Sequence, residues 1–125
     1  MVVDELSAVE VDRIFQALAD ATRRDIVARV IRGEQSVSAL AQHFPMSFAA
    51  VQKHVAILER AHLVTKERRG REQIVHGNVP TLRRAARLLD AYEQLWRDRV
   101  SGMERILAED PASPERTERG PAPCP

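Results

Sequence analysis

The sequence holds a single cysteine, Cys124, one residue from its end. An internal disulfide needs two thiols and a thiolate metal cage needs more, so neither can form within one chain. Aromatic residues are scarce at 4%, whereas apolar residues fill 44% of 125 positions. That balance suits a helical core of Leu, Val, Ile and Ala better than a sheet-dominated fold. No stretch approaches the roughly 20 apolar residues that cross a bilayer, and no basic patch leads into an apolar run at the start. No membrane partner and a cytoplasmic location are therefore expected. A glycine-rich phosphate loop and a Ser/His/Asp arrangement are both missing, which argues against an enzyme and against a bound cofactor. The length accommodates one compact domain and leaves little for a second.

Net charge is also small, at +1, but it is unevenly spread. The first twelve residues carry Asp4, Glu5, Glu10 and Asp12 with no basic partner, and from Glu104 onward five acids face three arginines. The stretch between holds +7. A basic centre is compatible with a polyanionic partner, although a solvated basic surface has the same composition.

Apolar periodicity organises the middle of the chain. Val11, Ile14, Phe15 and Leu18 mark one face of a first helix. Asp20 can cap a second, with a stripe of Ile26, Val27, Val30 and Ile31 and Gly33 at its end. Ser36 can cap a short third helix carrying Val37, Leu40, Ala41 and Phe44, which Pro45 must stop. Ser47 caps a fourth that buries Val51, Val55 and Leu58 while Gln52, Lys53, Ala56 and Arg60 project elsewhere. From Leu63 the period falls to two through Arg68, and β-branched residues return at Ile74 and Val75, so a hairpin turning at Gly70 is expected. Pro80 opens a long last helix with apolar residues from Leu82 to Leu107. The expected organisation is an N-terminal arm over 1–9, one domain over 10–108, and a Pro-rich disordered tail over 109–125.

A short helix, a proline-bearing turn and a second helix with a polar outer face describe a helix-turn-helix, whose second member enters the major groove of double-stranded DNA. Residues 37–60 fit, as would any two amphipathic helices joined by a turn. The hairpin narrows the choice, because Lys66, Arg68, Arg69 and Arg71 around a glycine turn are what a wing gripping phosphate needs. A solvated hairpin tip is the plainer alternative. Gln52 can pair with an adenine edge, and Lys53 with guanine or phosphate. Phe48 can touch a thymine methyl or pack on the neighbouring helix; His54 can donate to phosphate or sit at the apolar boundary.

Leu18-Ala19-Asp20-Ala21-Thr22-Arg23, Ser38-Ala39-Leu40-Ala41, Ser47 through Val51, Lys53-His54, Leu58 through Val64 and Arg69-Gly70-Arg71 together resemble the ArsR/SmtB family of bacterial winged-helix repressors, over roughly residues 10–107. The resemblance implies a mainly α fold of about five helices with a two-stranded wing, dimerised through the terminal helices. It implies a repressor of its own promoter, released by an effector. Carried over, Ser47, Phe48, Ala49, Gln52, Lys53 and His54 would face DNA from the recognition helix, and Lys66 to Arg71 from the wing. Val11, Ile14, Leu82, Leu89, Tyr92 and Trp96 would form the homodimer interface, and the paired recognition helices would meet a pseudo-palindromic operator. A winged helix that binds protein instead is the competing reading.

The chain departs from that family where metals are sensed. Ser36-Val37-Ser38 stands where some members carry Cys-x-Cys, and residues 80–107 contain no His or Cys for the other known site. His43, His54, His62 and His76 do not stand three or four positions from one another, so no metal site is expected and the effector is unidentified. Ala21 replaces the family's usual proline after Asp20.

Overall fold

A computed structural model of the protein describes residues 6–108. The tail expected over 109–125, with Cys124, and the arm up to residue 5 lie outside the described residues. The described residues fall into two units, one up to Ala86 and one from Arg87.

In the first unit the chain runs α1 (Ala8–Leu18), α2 (Ala21–Arg32), β1 (Gln35–Ser36), α3 (Val37–Ala41), α4 (Phe48–Arg60), β2 (Val64–Arg69), β3 (Glu72–Gly77) and the start of α5 (Val79–Ala108). The first four helices each start at a side-chain oxygen: Ser7, Asp20, Ser36 and Ser47 each accept from the amide three residues on. Each thereby satisfies one of the amides that a helix start leaves without a partner. At Ser7 the cap is reciprocal, since the Ser7 amide donates to Glu10 Oε1 at 2.8 Å. This box starts α1 at Ala8, so the helix reaches back into the segment assigned to the arm. The other end of α1 has no basic residue in its last turn. Cations come from α2 instead: Arg23 donates to the carbonyls of Ala17 at 2.7 Å and Gln16 at 3.1 Å, and Arg24 to that of Leu18 at 2.8 Å. They meet the negative end of the helix dipole.

The third helix is shorter than the apolar pattern suggested. It ends at Ala41, and the amides of Gln42, His43 and Phe44 turn to carbonyls three residues back. This tighter winding is the 3₁₀ form, and the residue ahead of Pro45 is in any case pushed out of α geometry. Ile14, Ala17, Ile26, Leu40, Val51, Val55, Leu58 and Leu63 form the centre of one apolar core. Truncating one of its large members to Ala costs about 2–5 kcal/mol.

The hairpin is part of a larger sheet than expected. Strand order is β1-β3-β2, all antiparallel, with Gln35 opposite Val75 and Ser36 opposite Ile74. Two polar residues give no alternating signal; β1 exists because β3 offers it a ladder. Across β2 and β3, Val64 faces Gly77, Lys66 faces Val75 and Arg68 faces Gln73, alternating with Thr65–His76, Glu67–Ile74 and Arg69–Glu72. Because cross-strand partners share a face, Val64, Lys66, Arg68 and Val75 lie on one side of the ribbon, and Thr65, Glu67, Arg69, Ile74 and His76 on the other. Gly70 turns the hairpin with φ of 65°, the positive value that a two-residue turn between twisted strands favours. Gly77 matters for a different reason, since a Cβ there would lie 2.9 Å from Ile31 Cγ1 and the Ile31 side chain would have to shift.

The junction from α4 to β2 is a Schellman turn. Leu63 N–H bonds Leu58 O at 3.0 Å and His62 N–H bonds Glu59 O at 2.9 Å, with the intervening His62 at φ of 61°. Leu58 and Leu63, both fully buried, supply the apolar contact that accompanies this motif. Asn78 closes the other side by donating from Nδ2 to His62 O at 2.8 Å.

The second unit carries α5 onward from Arg87. Leu89, Tyr92, Leu95, Trp96, Met103, Ile106 and Leu107 are all exposed on it, while Glu93 and Arg97 pair along the helix at 2.7 Å.

Candidate nucleic-acid interface

α4 is amphipathic in the manner its sequence requires. Val51, Val55 and Leu58 are buried at i, i+4 and i+7, which leaves the opposite arc of the helix to solvent. Ala49, Gln52, Lys53 and Arg60 are exposed. Ser47 stands at the N-terminus with its hydroxyl engaged by the Ala50 amide at 3.1 Å. Phe48 is 46% exposed.

The structure places His54 differently from the rest. Its Nδ1 lies 3.2 Å from Arg23 Nη1 and 3.9 Å from Asp20 Oδ2, with the side chain only 20% exposed. Of the two readings of His54, these contacts fit the residue at the apolar boundary, beside the Val51/Val55/Leu58 stripe. Asp20 already accepts from the Arg23 amide, and this bond holds its carboxyl below the usual range.

The four wing cations divide between the two faces of the ribbon. Lys66 reaches back to Glu59 of α4 at 3.4 Å. Arg68, two residues on, continues the same face, and Arg71 sits in the turn; neither makes a side-chain hydrogen bond or ion pair among the described residues. Arg69 faces the other way. Its guanidinium bonds Glu34 at 2.6 and 3.4 Å and Glu67 at 3.0 Å. His76 joins them, with Nε2 2.8 Å from Glu67 and Nδ1 3.4 Å from Glu34. Hydrogen bonding by Arg69 lowers the Glu34 carboxyl below its ordinary value, bonding by His76 and then Arg69 lowers Glu67, and the two carboxylates raise Arg69. Of these four residues only Arg69 is singled out from the sequence, as a phosphate-gripping cation; Glu67 falls within the expected wing without a role. Period-two spacing of Glu67 and Arg69 is the signal that could have found the cluster.

The expected dimer residues are also sorted by the fold. Ile14 is 1% exposed inside its own core, so it has no surface left for a second chain; the helix face that carries it packs inward at that turn. Val11 is half-buried, and Leu82 is half-buried against the core. Leu89, Tyr92 and Trp96 are open.

No metal site assembles among the described residues. Ser36 Oγ is occupied in capping α3 at 3.0 Å from the Ala39 amide, α5 offers no imidazole or thiol, and no three described His, Cys, Asp or Glu side chains converge to hold an ion. The donors that a soft metal requires are not in those places.

Residues 18–67, which span α2 to the start of the wing, match a helix-turn-helix domain family. An HTH-type transcriptional regulator of Mycobacterium tuberculosis is 33% identical over 96 residues, covering 77% of this chain and 87% of that protein. The transcriptional repressor SdpR of Bacillus subtilis is 30% identical over 59 residues, 47% of this chain and 66% of its own. Among solved structures, an ArsR-like transcriptional regulator from Rhodococcus sp. RHA1 superposes with a TM-score of 0.71 at 33% identity, covering 78% of this chain and 92% of that one.

Proposed function

The chain belongs to the ArsR family of helix-turn-helix transcriptional regulators, and from that membership we propose that it is a repressor binding a pseudo-palindromic operator as a homodimer, including one at its own promoter. The observation that carries the reading is the contact between two elements, Lys66 of the ribbon and Glu59 of α4 at 3.4 Å. The outer arc of α4 presents Gln52 and Lys53 to solvent, and the ribbon face that holds Lys66 against α4 continues into Arg68.

Gln52 and Lys53 supply the hydrogen bonds that distinguish base edges. Arg68 and Arg71 supply phosphate neutralisation, which is independent of sequence. One copy of such a surface reads too few base pairs for an operator. The exposed apolar face of α5, centred on Leu89, Tyr92 and Trp96, is larger than a lone helix in water sustains. A second copy of this chain covers it in our reading. A two-fold pair of recognition helices then demands half-sites about 10 bp apart, or a multiple of that.

Selection of bound fragments from the host chromosome tests the proposal directly. A recovered pseudo-palindrome upstream of the chain's own coding region, bound more weakly by Gln52→Ala, is the expected result. Binding that ignores sequence, or an affinity unmoved by salt, points to the protein-docking alternative, because a DNA binder loses affinity steeply as salt rises.

A further inference from the structure

Arg69 stands next to the turn of a cationic hairpin, where a phosphate contact would be the default reading. Its surroundings do not suit that role. The alternation of β2 puts Arg69 on the face opposite Lys66 and Arg68, and its guanidinium is spread over Glu34 and Glu67. A phosphate would have to displace two carboxylates that already satisfy the fork.

The partners come from three places in the chain. Glu34 lies between α2 and β1, Glu67 and Arg69 on β2, and His76 on β3. With His76 bonded to Glu67 and beside Glu34, the cluster crosses the whole three-stranded sheet. β2 contributes no apolar anchor there, since each of its residues after Val64 is exposed, and on β3 burial stops at Ile74, opposite Glu67. The root of the ribbon is held by buried Val64, Ile74 and Val75; beyond Ile74 the ribbon has the Arg69 ion pairs and its own ladder.

We infer that Arg69 and Glu34 form a strut that fixes the outer half of the wing against the α2–β1 connection, and that Arg69 is a positioning residue for Arg68 and Arg71 with no phosphate contact of its own. The inference rests on the DNA-binding reading above for its functional consequence, but not for the strut itself. Lowered Glu34 and Glu67 carboxyls and a raised Arg69 accord with the ion pairs among these three side chains.

The test uses the full chain with Glu34→Gln, Arg69→Gln and the swap Glu34→Arg with Arg69→Glu. Both positions are on the surface, so the core is untouched. Hydrogen exchange of the free protein is followed over residues 64–77, and duplex affinity is measured as a function of salt. Exchange in the outer wing should quicken by roughly two- to fivefold in Glu34→Gln and Arg69→Gln, the scale of exposed ion pairs, and return toward the parent in the swap. Arg69→Gln should weaken binding a few-fold without changing the slope of log affinity against log salt. Unchanged exchange in Glu34→Gln overturns the strut. A slope reduced by about 0.9 in Arg69→Gln overturns the positioning role, because that is the signature of one lost phosphate contact. Should the parent protein bind no duplex, the DNA reading fails while the exchange measurement still decides the strut.

Discussion

Arg23 Nη1 lies 3.2 Å from His54 Nδ1, and the same guanidinium holds the carbonyls of Ala17 and Gln16. One side chain of α2 thus joins the end of α1 to the flank of α4. The helix that carries Gln52 and Lys53 is located by a polar contact as well as by its buried stripe.

Arg23→Gln should therefore lower the unfolding free energy by about 1–3 kcal/mol, the range for hydrogen bonds to a charged donor. His54→Ala should cost less, because Arg23 keeps its two carbonyls. Urea unfolding of the two variants and their double mutant measures both effects, and a coupling close to zero would show that the bond holds nothing. In DNA titrations His54→Ala should leave the salt slope of the parent.

Gln52→Ala and Lys53→Ala should each weaken the selected operator by roughly 5- to 150-fold, corresponding to about 1–3 kcal/mol for a lost base contact. A scrambled duplex should register the Gln52 change little. Arg68→Ala and Arg71→Ala should act on both duplexes alike and flatten the salt slope by about 0.9 for each phosphate released. Fluorescence anisotropy over a salt series separates the two kinds of residue; four variants indistinguishable from the parent would remove the proposed surface.

Ile14 and Trp96 should part company in solution. Ile14→Val removes a methylene from a fully buried site and should cost about 0.5–1.5 kcal/mol of fold stability, leaving self-association unaltered. Trp96→Glu places a charge on the open face of α5 and should leave the thermal midpoint of the first unit near that of the parent while producing monomers at micromolar concentration. Sedimentation velocity reads the outcome, and a parent already monomeric at that concentration would contradict the dimer.

His62 occupies the left-handed position that glycine usually takes after a helix. For an L-residue this conformation costs about 1–2 kcal/mol, so His62→Gly should raise the unfolding free energy by about 1 kcal/mol, and His62→Val should lower it. A thermal melt that moves in the reverse order would mean that the His62 ring makes a contact worth more than the strain.

The helices were readable because capping and periodicity are local: Asp20, Ser36 and Ser47 precede their helices in sequence and cap them in the fold. Gly70 marked its turn for the same reason. What escaped was held by distant partners. Gln35–Ser36 is a strand only because Val75 and Ile74 lie beside it, and the partner of His54 is Arg23, 31 positions earlier. Ile14 shows a third limit, since an apolar stripe states that a face is buried but not whether its own chain or a second copy buries it. Arg69 groups with its neighbours by charge; the alternation of β2 separates it from them.

That alternation constrains how the hairpin can change. Deleting or inserting one residue between Val64 and Gly70 would exchange the two sides, carrying Glu67 and Arg69 toward α4 and turning Lys66 and Arg68 away from it. Length variation in this ribbon is tolerable in steps of two per strand, so a grafted or lengthened wing should keep the parity of β2 even where none of its residues is retained.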